Sequence, residues 1–318
     1  MGAVLAAEDK VELRLVGIAP CPAVRLLLRE VGAQGTRSGI HAHFARRIRE
    51  TLSTVETPQT WHYGVVAQWW AERNLDGPAI DYYRAHIERH GQPALDVACG
   101  TGRLLVPYLR AGLDVDGCDV SPDMLVWCAA RAEREGLTAR LYPQAMHELE
   151  LPRRYRTIIV CGAFGLGGSR TRDEEALRRM RAHLEPGGVL VMDYESRFAG
   201  EKEWRRWADR KRASLPEPPA APDLVPAADG SEIGLRARMV DIDLAARVVT
   251  SEMRAQRWRG GRLEADETYP LKACLYFREE LVTMLAEAGF GAVEVSRGYG
   301  APGERESRFL VFEAGRDP

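Results

Sequence analysis

The sequence predicts an α/β fold: a doubly wound, mainly parallel sheet, with an antiparallel β subdomain inserted after the fifth strand and a helical extension at the N-terminus. Three observations predict it. Short apolar runs alternate with amphipathic helical stretches from residue 93 to residue 195, the βαβ rhythm of a parallel sheet. The run YRTIIVCG (155–162) is apolar at its centre, as a strand covered on both faces must be. Beyond the Pro-rich stretch LPEPPAAPDLVP, three long segments alternate apolar and polar residues, with turn signals near DLAAR and at Gly260-Gly261.

Taken in order, residues 1–58 stand apart. PAVRLLLREVG and IHAHFARRIRETL have helical spacing of apolar residues, split by GAQGTRSG. They are expected to form an extension that serves as a lid, a dimer arm or a loosely ordered segment. Residues 59–318 are expected to form one domain with its insertion at about 196–275. GVVAQWWAERN and AIDYYRAHIERHG read as helices. PALDVA is a strand, and GRLLVPYLRAG a helix ending at Gly112. LDVDGCD is the second strand. SPDMLVWCAARAEREG is a helix with Ser121 at the cap, Pro122 in the first turn and Gly136 past its end. TARLYP and YRTIIVCG are strands. RDEEALRRMRAHLEPGG is a helix with a turn at its end, and VLVMDYE is the fifth strand. IGLRARMVDIDL, RVVTSEMRAQRWRG and RLEADETYPLKACLYF supply the inserted strands. REELVTMLAEAGF is a helix, and AVEVSRGY and SRFLVFEA close the chain as strands.

Composition excludes several functions. The 318 residues are 45% hydrophobic and 28% charged, enough to build a full core. A net charge of −2 argues against nucleic acid as the main partner, because phosphate binding needs a clear excess of Lys and Arg. The basic run RRWADRKRA is expected to be a solvated face. None of the six cysteines forms a C-x-x-C pair, so no zinc or redox motif is visible. They read as small buried thiols of a reducing compartment. His41 and His43 lie two apart and would point to different helix faces, so no metal site is expected. No apolar run approaches the ~20 residues that span a membrane. The opening MGAVLAAEDKVELRL is interrupted by charges, so a cytoplasmic protein is expected.

The stretch ALDVACGTGRLL carries the chemistry. Gly100 and Gly102 let a ligand approach the backbone where a strand turns into a helix. A dinucleotide fingerprint needs a third glycine, and Leu105 stands in its place. The Asp96 carboxylate repels phosphate and suits a cationic ligand. Asp119 ends the next strand, 23 residues on, where a carboxylate can accept from both hydroxyls of a ribose.

These segments resemble a class I S-adenosylmethionine-dependent methyltransferase with its Rossmann-like sheet. ALDVACGTGRL resembles the family's first motif and VDGCDVSPDML its second. YPQAMHELELP resembles the third-strand end, and YRTIIVCGAFGLG and HLEPGGVLVMDYE the fourth and fifth strands. The insertion and YFREELVTMLAEAGF resemble the small-molecule branch, with its amino-sugar and glycine-type N-methyltransferases. The Asn/Asp-Pro-Pro-aromatic motif of nucleic-acid amine methyltransferases is absent, and CGAF stands there. The resemblance implies S-adenosyl-L-methionine as cofactor. Asp96, Ala98, Gly100, Thr101 and Gly102 would line its methionine and ribose portions, and Asp119 would hold the ribose. Val120 and Met124 would pack on adenine, and Cys161 and Gly162 would face the methionine end. Two residues depart from the family pattern. Ala98 stands where many relatives have Gly. Ala145 stands where relatives often have an Asp that accepts from the adenine amine, so Gln144, His147 or the backbone at Met146 would substitute.

Methyl transfer is an in-line displacement for which the protein supplies alignment and excludes water. Tyr63 and Glu195 are the candidate catalytic residues, Tyr63 also as a contact to the methionine carboxylate. His62 is a possible base, more simply a packed histidine. Trp70 (or its neighbour Trp69), Phe164, Tyr194 and Tyr276 are expected at the acceptor pocket. An amine acceptor needs no dedicated base, so N-methylation of a small molecule is favoured over O-methylation. Intramolecular cyclisation of the cofactor and dinucleotide oxidoreduction are the alternatives. No membrane partner is expected, and the chain is read as a monomer or homodimer.

Overall fold

The computed structural model describes residues 60–299 and 309–317. The expected extension of residues 1–58, with His41 and His43, lies outside the described residues. The first half of the described chain runs α1 (Gly64–Arg73), α2 (Ala79–His90), β1 (Ala94–Val97), α3 (Leu105–Arg110), β2 (Val115–Asp119), α4 (Pro122–Arg134), β3 (Arg140–Pro143), a 3-10 turn (Met146–Glu148), β4 (Tyr155–Val160), α5 (Arg170–His183) and β5 (Leu184–Glu195). The second half runs α6 (Glu201–Arg212), β6 (Asp223–Pro226), β7 (Glu232–Asp243), β8 (Val248–Arg259), β9 (Arg262–Cys274), α7 (Arg278–Glu287), β10 (Val293–Arg297) and β11 (Phe309–Gly315).

The main sheet has seven strands in the order β10-β11-β5-β4-β1-β2-β3. β1 pairs in parallel with β2 on one side and β4 on the other, so the strand order reverses there. Such a reversal opens a crevice at the carboxyl ends of the strands. β11 is antiparallel to both β5 and β10. Every residue of β1 and β2 is buried, Asp96, Asp116 and Asp119 included. α4 begins as its sequence predicts. The Ser121 hydroxyl accepts from the Met124 N–H, and Pro122 occupies the first turn.

The second sheet is antiparallel, in the order β6-β7-β8-β9. The stretch expected as an irregular linker ends in β6. It tolerates its prolines because it is an edge strand with Pro226 at its end. β5 starts earlier than expected. Tyr155 pairs with Leu184 and Thr157 with Val189, so the intervening EPGG is a bulge inside the strand. The basic run is a helix, α6, with one apolar stripe. Trp204 and Ala208 are buried against Ile242, Phe198 and Trp207, while Arg205 faces solvent and pairs with Glu201. Among the described residues, no helix is long and apolar enough to cross a membrane.

Trp204 is fully buried and anchors α6 on the second sheet. Trp204→Ala is expected to destabilise the protein by about 3–5 kcal/mol, read as a lower urea midpoint.

Candidate functional site

The crevice is built on the turn between β1 and α3. The Asp119 carboxylate, at the end of β2, closes that turn. One of its oxygens accepts from the Gly100 N–H at 2.9 Å and the other from the Ser121 N–H at 2.8 Å. Burial pushes its carboxyl up to about 6, against the pull of those two donors. Each oxygen keeps a further lone pair for a ligand hydroxyl. Ala98 has a φ of 59°, the left-handed region where a Cβ is strained. A Cβ on Gly102 would stand 2.7 Å from Cys128 Sγ, so only glycine lets α4 pack against the turn.

Asp96 lies beneath this turn and is 2% exposed. Its Oδ2 has no hydrogen-bond partner among the described residues. Burial pushes its carboxyl up to about 8; Arg103 opposes this and Asp119 adds to it. An orphaned, buried carboxylate oxygen beside an open glycine turn suits a cationic donor and disfavours a phosphate.

α1 brings residues 60–63 to the crevice. Its Gly64 N–H donates to Asp123 Oδ2 at 2.7 Å and its Val65 N–H to Glu267 Oε2 at 2.8 Å. The Ser121 hydroxyl donates to the His62 carbonyl. Burial, with the charges of Asp119 and Asp123, pushes Tyr63 up to about 12, so its hydroxyl is a donor and no base. Burial lowers His62 to about 4. Its ring lies 5.7 Å from that of Trp70. His62 is therefore a packed, neutral imidazole.

Val120, expected on adenine, is 42% exposed at the crevice rim, while Met124 is 5% exposed beneath Gly100. Ala145 caps the 3-10 turn that begins at Met146. The Gln144 amide does not point outward as a substitute for the missing Asp. It accepts from the Glu150 N–H at 3.0 Å and donates to the Glu150 carbonyl at 3.3 Å, closing its own loop.

The end of the crevice after β4 contains residues that sequence reasoning missed. Asp193 on β5 is 1% exposed. It accepts from the Gly162 N–H, from Cys161 Sγ at 3.4 Å and from the Tyr299 hydroxyl. Arg103 donates to Cys161 Sγ at 3.2 Å. Burial pushes the Cys161 thiol up to about 12, so it is an inert donor. A lone acid inside the apolar run VLVMDYE was the available signal for Asp193. Arg103 and Tyr299 had none.

A cavity of about 330 Å³ opens beside this network. Gly162 and Asp193 border it, and Trp61, Phe164, Tyr194, Glu195, Phe198 and Trp207 are among its walls. Two of the expected acceptor residues are elsewhere. Tyr276 does not line the cavity; its hydroxyl donates to Asp173, and Arg170 stacks on its ring at 4.6 Å. Trp70 packs with Val65 and Ile233 under α1, and Trp61 takes the cavity wall instead. Tyr194 does line it, but its hydroxyl is committed to the Cys274 carbonyl and the Tyr276 N–H. Glu195 is held by Arg197 at 2.8 Å.

Residues 94–188 match the family model of a methyltransferase domain. The chain is 32% identical over 152 residues to a dTDP-3-amino-3,6-dideoxy-alpha-D-glucopyranose N,N-dimethyltransferase of Streptomyces fradiae, covering 44% of this chain and 57% of that protein. It is 33% identical over 101 residues to a dTDP-3-amino-3,4,6-trideoxy-alpha-D-glucopyranose N,N-dimethyltransferase of Streptomyces venezuelae, covering 31% and 40%. The chain spans about half the length of the curated relatives it matches. The solved structure of a sugar N-methyltransferase from Streptoalloteichus sp ATCC 53650 shares the fold, with a TM-score of 0.57 and 22% identity over 83% of this chain and 99% of that one.

Two predictions follow from the crevice. Ala98→Gly relieves a left-handed alanine and is expected to raise stability by about 1 kcal/mol in thermal unfolding. Asp96 holds its proton in the folded chain between pH 3.8 and about 8, where the unfolded chain has released it. The unfolded state then binds fewer protons, so stability falls as pH rises through that window. Relative to Asp96→Asn, the ligand-free wild type is expected to lose stability across it at up to about 1.4 kcal/mol per pH unit. Parallel urea-midpoint profiles of the two proteins would contradict this.

Proposed function

We propose that this chain, which carries a methyltransferase domain, transfers the methyl group of S-adenosylmethionine to the nitrogen of a small-molecule amine. The observation that carries the reading is Asp96. It places an unpartnered, buried carboxylate oxygen beside a two-glycine turn that lacks the third glycine of a dinucleotide site. When bound, the cofactor supplies a carbon made electrophilic by its sulfonium.

The chain's own residues do the rest. Asp119 accepts from the ribose hydroxyls with the lone pairs its backbone donors leave over. Asp96 offers its oxygen to the ammonium. Val120 and Met124 cover adenine, and the backbone at Ala145 and Met146 meets its edge. Ala98, Thr101 and Gly102 shape the turn beneath it, and Gly162 borders the methionine end. The Tyr63 hydroxyl donates toward the methionine carboxylate. The acceptor occupies the cavity next to Gly162, where Phe164 and Trp61 exclude water and Glu195 takes the amine proton. A cavity of about 330 Å³ supports a second molecule over intramolecular cyclisation. The amino-sugar N,N-dimethyltransferase relatives support nitrogen as the acceptor atom.

Incubation with S-adenosylmethionine, with and without a panel of amines, tests the reading. S-adenosylhomocysteine formed only with an amine is the expected outcome. Methylthioadenosine released without acceptor would replace it with cyclisation. Tight NAD binding in calorimetry, with none of S-adenosylmethionine, would return the crevice to a dinucleotide. Asp119→Ala is expected to weaken cofactor binding about 10–100-fold through the loss of charge-assisted hydrogen bonds.

A further inference from the structure

His86 and His90 lie one turn apart on α2, and Glu313 reaches them from β11. His86 Nδ1 stands 3.3 Å from Glu313 Oε2, and His90 Nε2 stands 3.1 Å from Glu313 Oε1. The three ligand atoms all lie within 4.8 Å of one another. Two ligands bound at about 2.1 Å in a tetrahedron stand about 3.4 Å apart, close to the two histidine–carboxylate separations. The two imidazoles stack, with centroids 5.8 Å apart and planes 18° apart. None of the three lines the acceptor cavity.

A cation already reaches into this cluster. The Arg89 guanidinium donates to His90 Nε2 at 2.9 Å, stands 3.3 Å from His86 Nδ1 and pairs with Glu313. Lone pairs from three side chains thus converge on one positive group. Arg89 is 57% exposed and its head can turn into solvent, since exposed ion pairs contribute little.

We propose that His86, His90 and Glu313 form a site for a divalent metal of the zinc class, apart from the cofactor crevice, with Arg89 as its built-in competitor. Two imidazoles and a carboxylate are a zinc donor set that leaves a fourth position for water. A bound ion would pin α2 to β11. It would also stiffen the wall of the acceptor side, because α2 carries Tyr82 and Tyr83, whose rings lie 5.2 and 6.2 Å from that of Tyr299. Tyr299 in turn donates to Asp193.

Untagged, chelator-treated full-length protein is titrated with ZnCl2 by calorimetry, and its melting is followed with and without ZnCl2. One zinc per chain and a higher melting temperature are expected. His90→Ala and Glu313→Gln, checked for folding by circular dichroism, are expected to bind at least about tenfold more weakly, since loss of even an outer-shell partner costs that much. Arg89→Ala removes no ligand and is expected to bind zinc more tightly than wild type. Absence of stoichiometric binding overturns the site, and so does zinc binding that survives both ligand substitutions. An Arg89→Ala protein with unchanged or weaker affinity overturns the competition. The readout is binding, so failure here is separate from failure of the methyl-transfer reading.

Discussion

Acidic side chains buried at the carboxyl edge of the sheet are the constraint on which the rest of the site depends. Asp96, Asp119 and Asp193 are each under a tenth exposed, on three strands of one sheet. Asp116 shows how the protein satisfies such a group fully. Asp116 is fully buried near the start of β2, and it accepts from Arg140, Arg153 and the Tyr155 hydroxyl. Asp96 sits equally deep on the neighbouring strand, with one oxygen left unpartnered. A buried polar atom costs free energy unless it is paired. Asp116 is fully compensated one register position from Asp96, which keeps an oxygen without a partner among the described residues.

The second sheet is tied to this edge through α1. Two carboxylates, Asp123 of α4 and Glu267 of β9, accept from the first N–H groups of that helix. Anions at a helix N-terminus also favour its dipole. Val65 and Val66 then pack against Ile233 and Ala255 of the second sheet. The helix therefore couples the crevice to the inserted strands, and Trp61, just before it, reaches the cavity beside Gly162. Crevice and cavity wall share one short segment of chain.

Much of this was legible in the sequence because it depends on local pattern. Buried parallel strands read as apolar runs, and Asp96 and Asp119 stand at strand ends beside glycines. What was not legible depends on tertiary context. Tyr299 meets Asp193 across 106 residues of chain. Tyr276 and Gln144 have side chains suited to a ligand, but Asp173 and the Glu150 backbone engage them first. α6 was hidden by its arginines, which outnumber the apolar residues of its stripe. The His-x-x-x-His spacing of residues 86–90 is visible in the chain but has no meaning until β11 supplies Glu313.

Asp193 and Glu195 both line the cavity but are held differently. Asp193 accepts from Gly162, Cys161 and Tyr299, so its lone pairs are engaged from three directions. These contacts position the turn after β4. Glu195 is half-buried and bound only through one oxygen to Arg197, two residues on. Its other oxygen is not engaged by that pair. On the proposed reading the proton leaving the amine goes to Glu195, and the rigid Asp193 network keeps the acceptor's approach aligned with the methionine end.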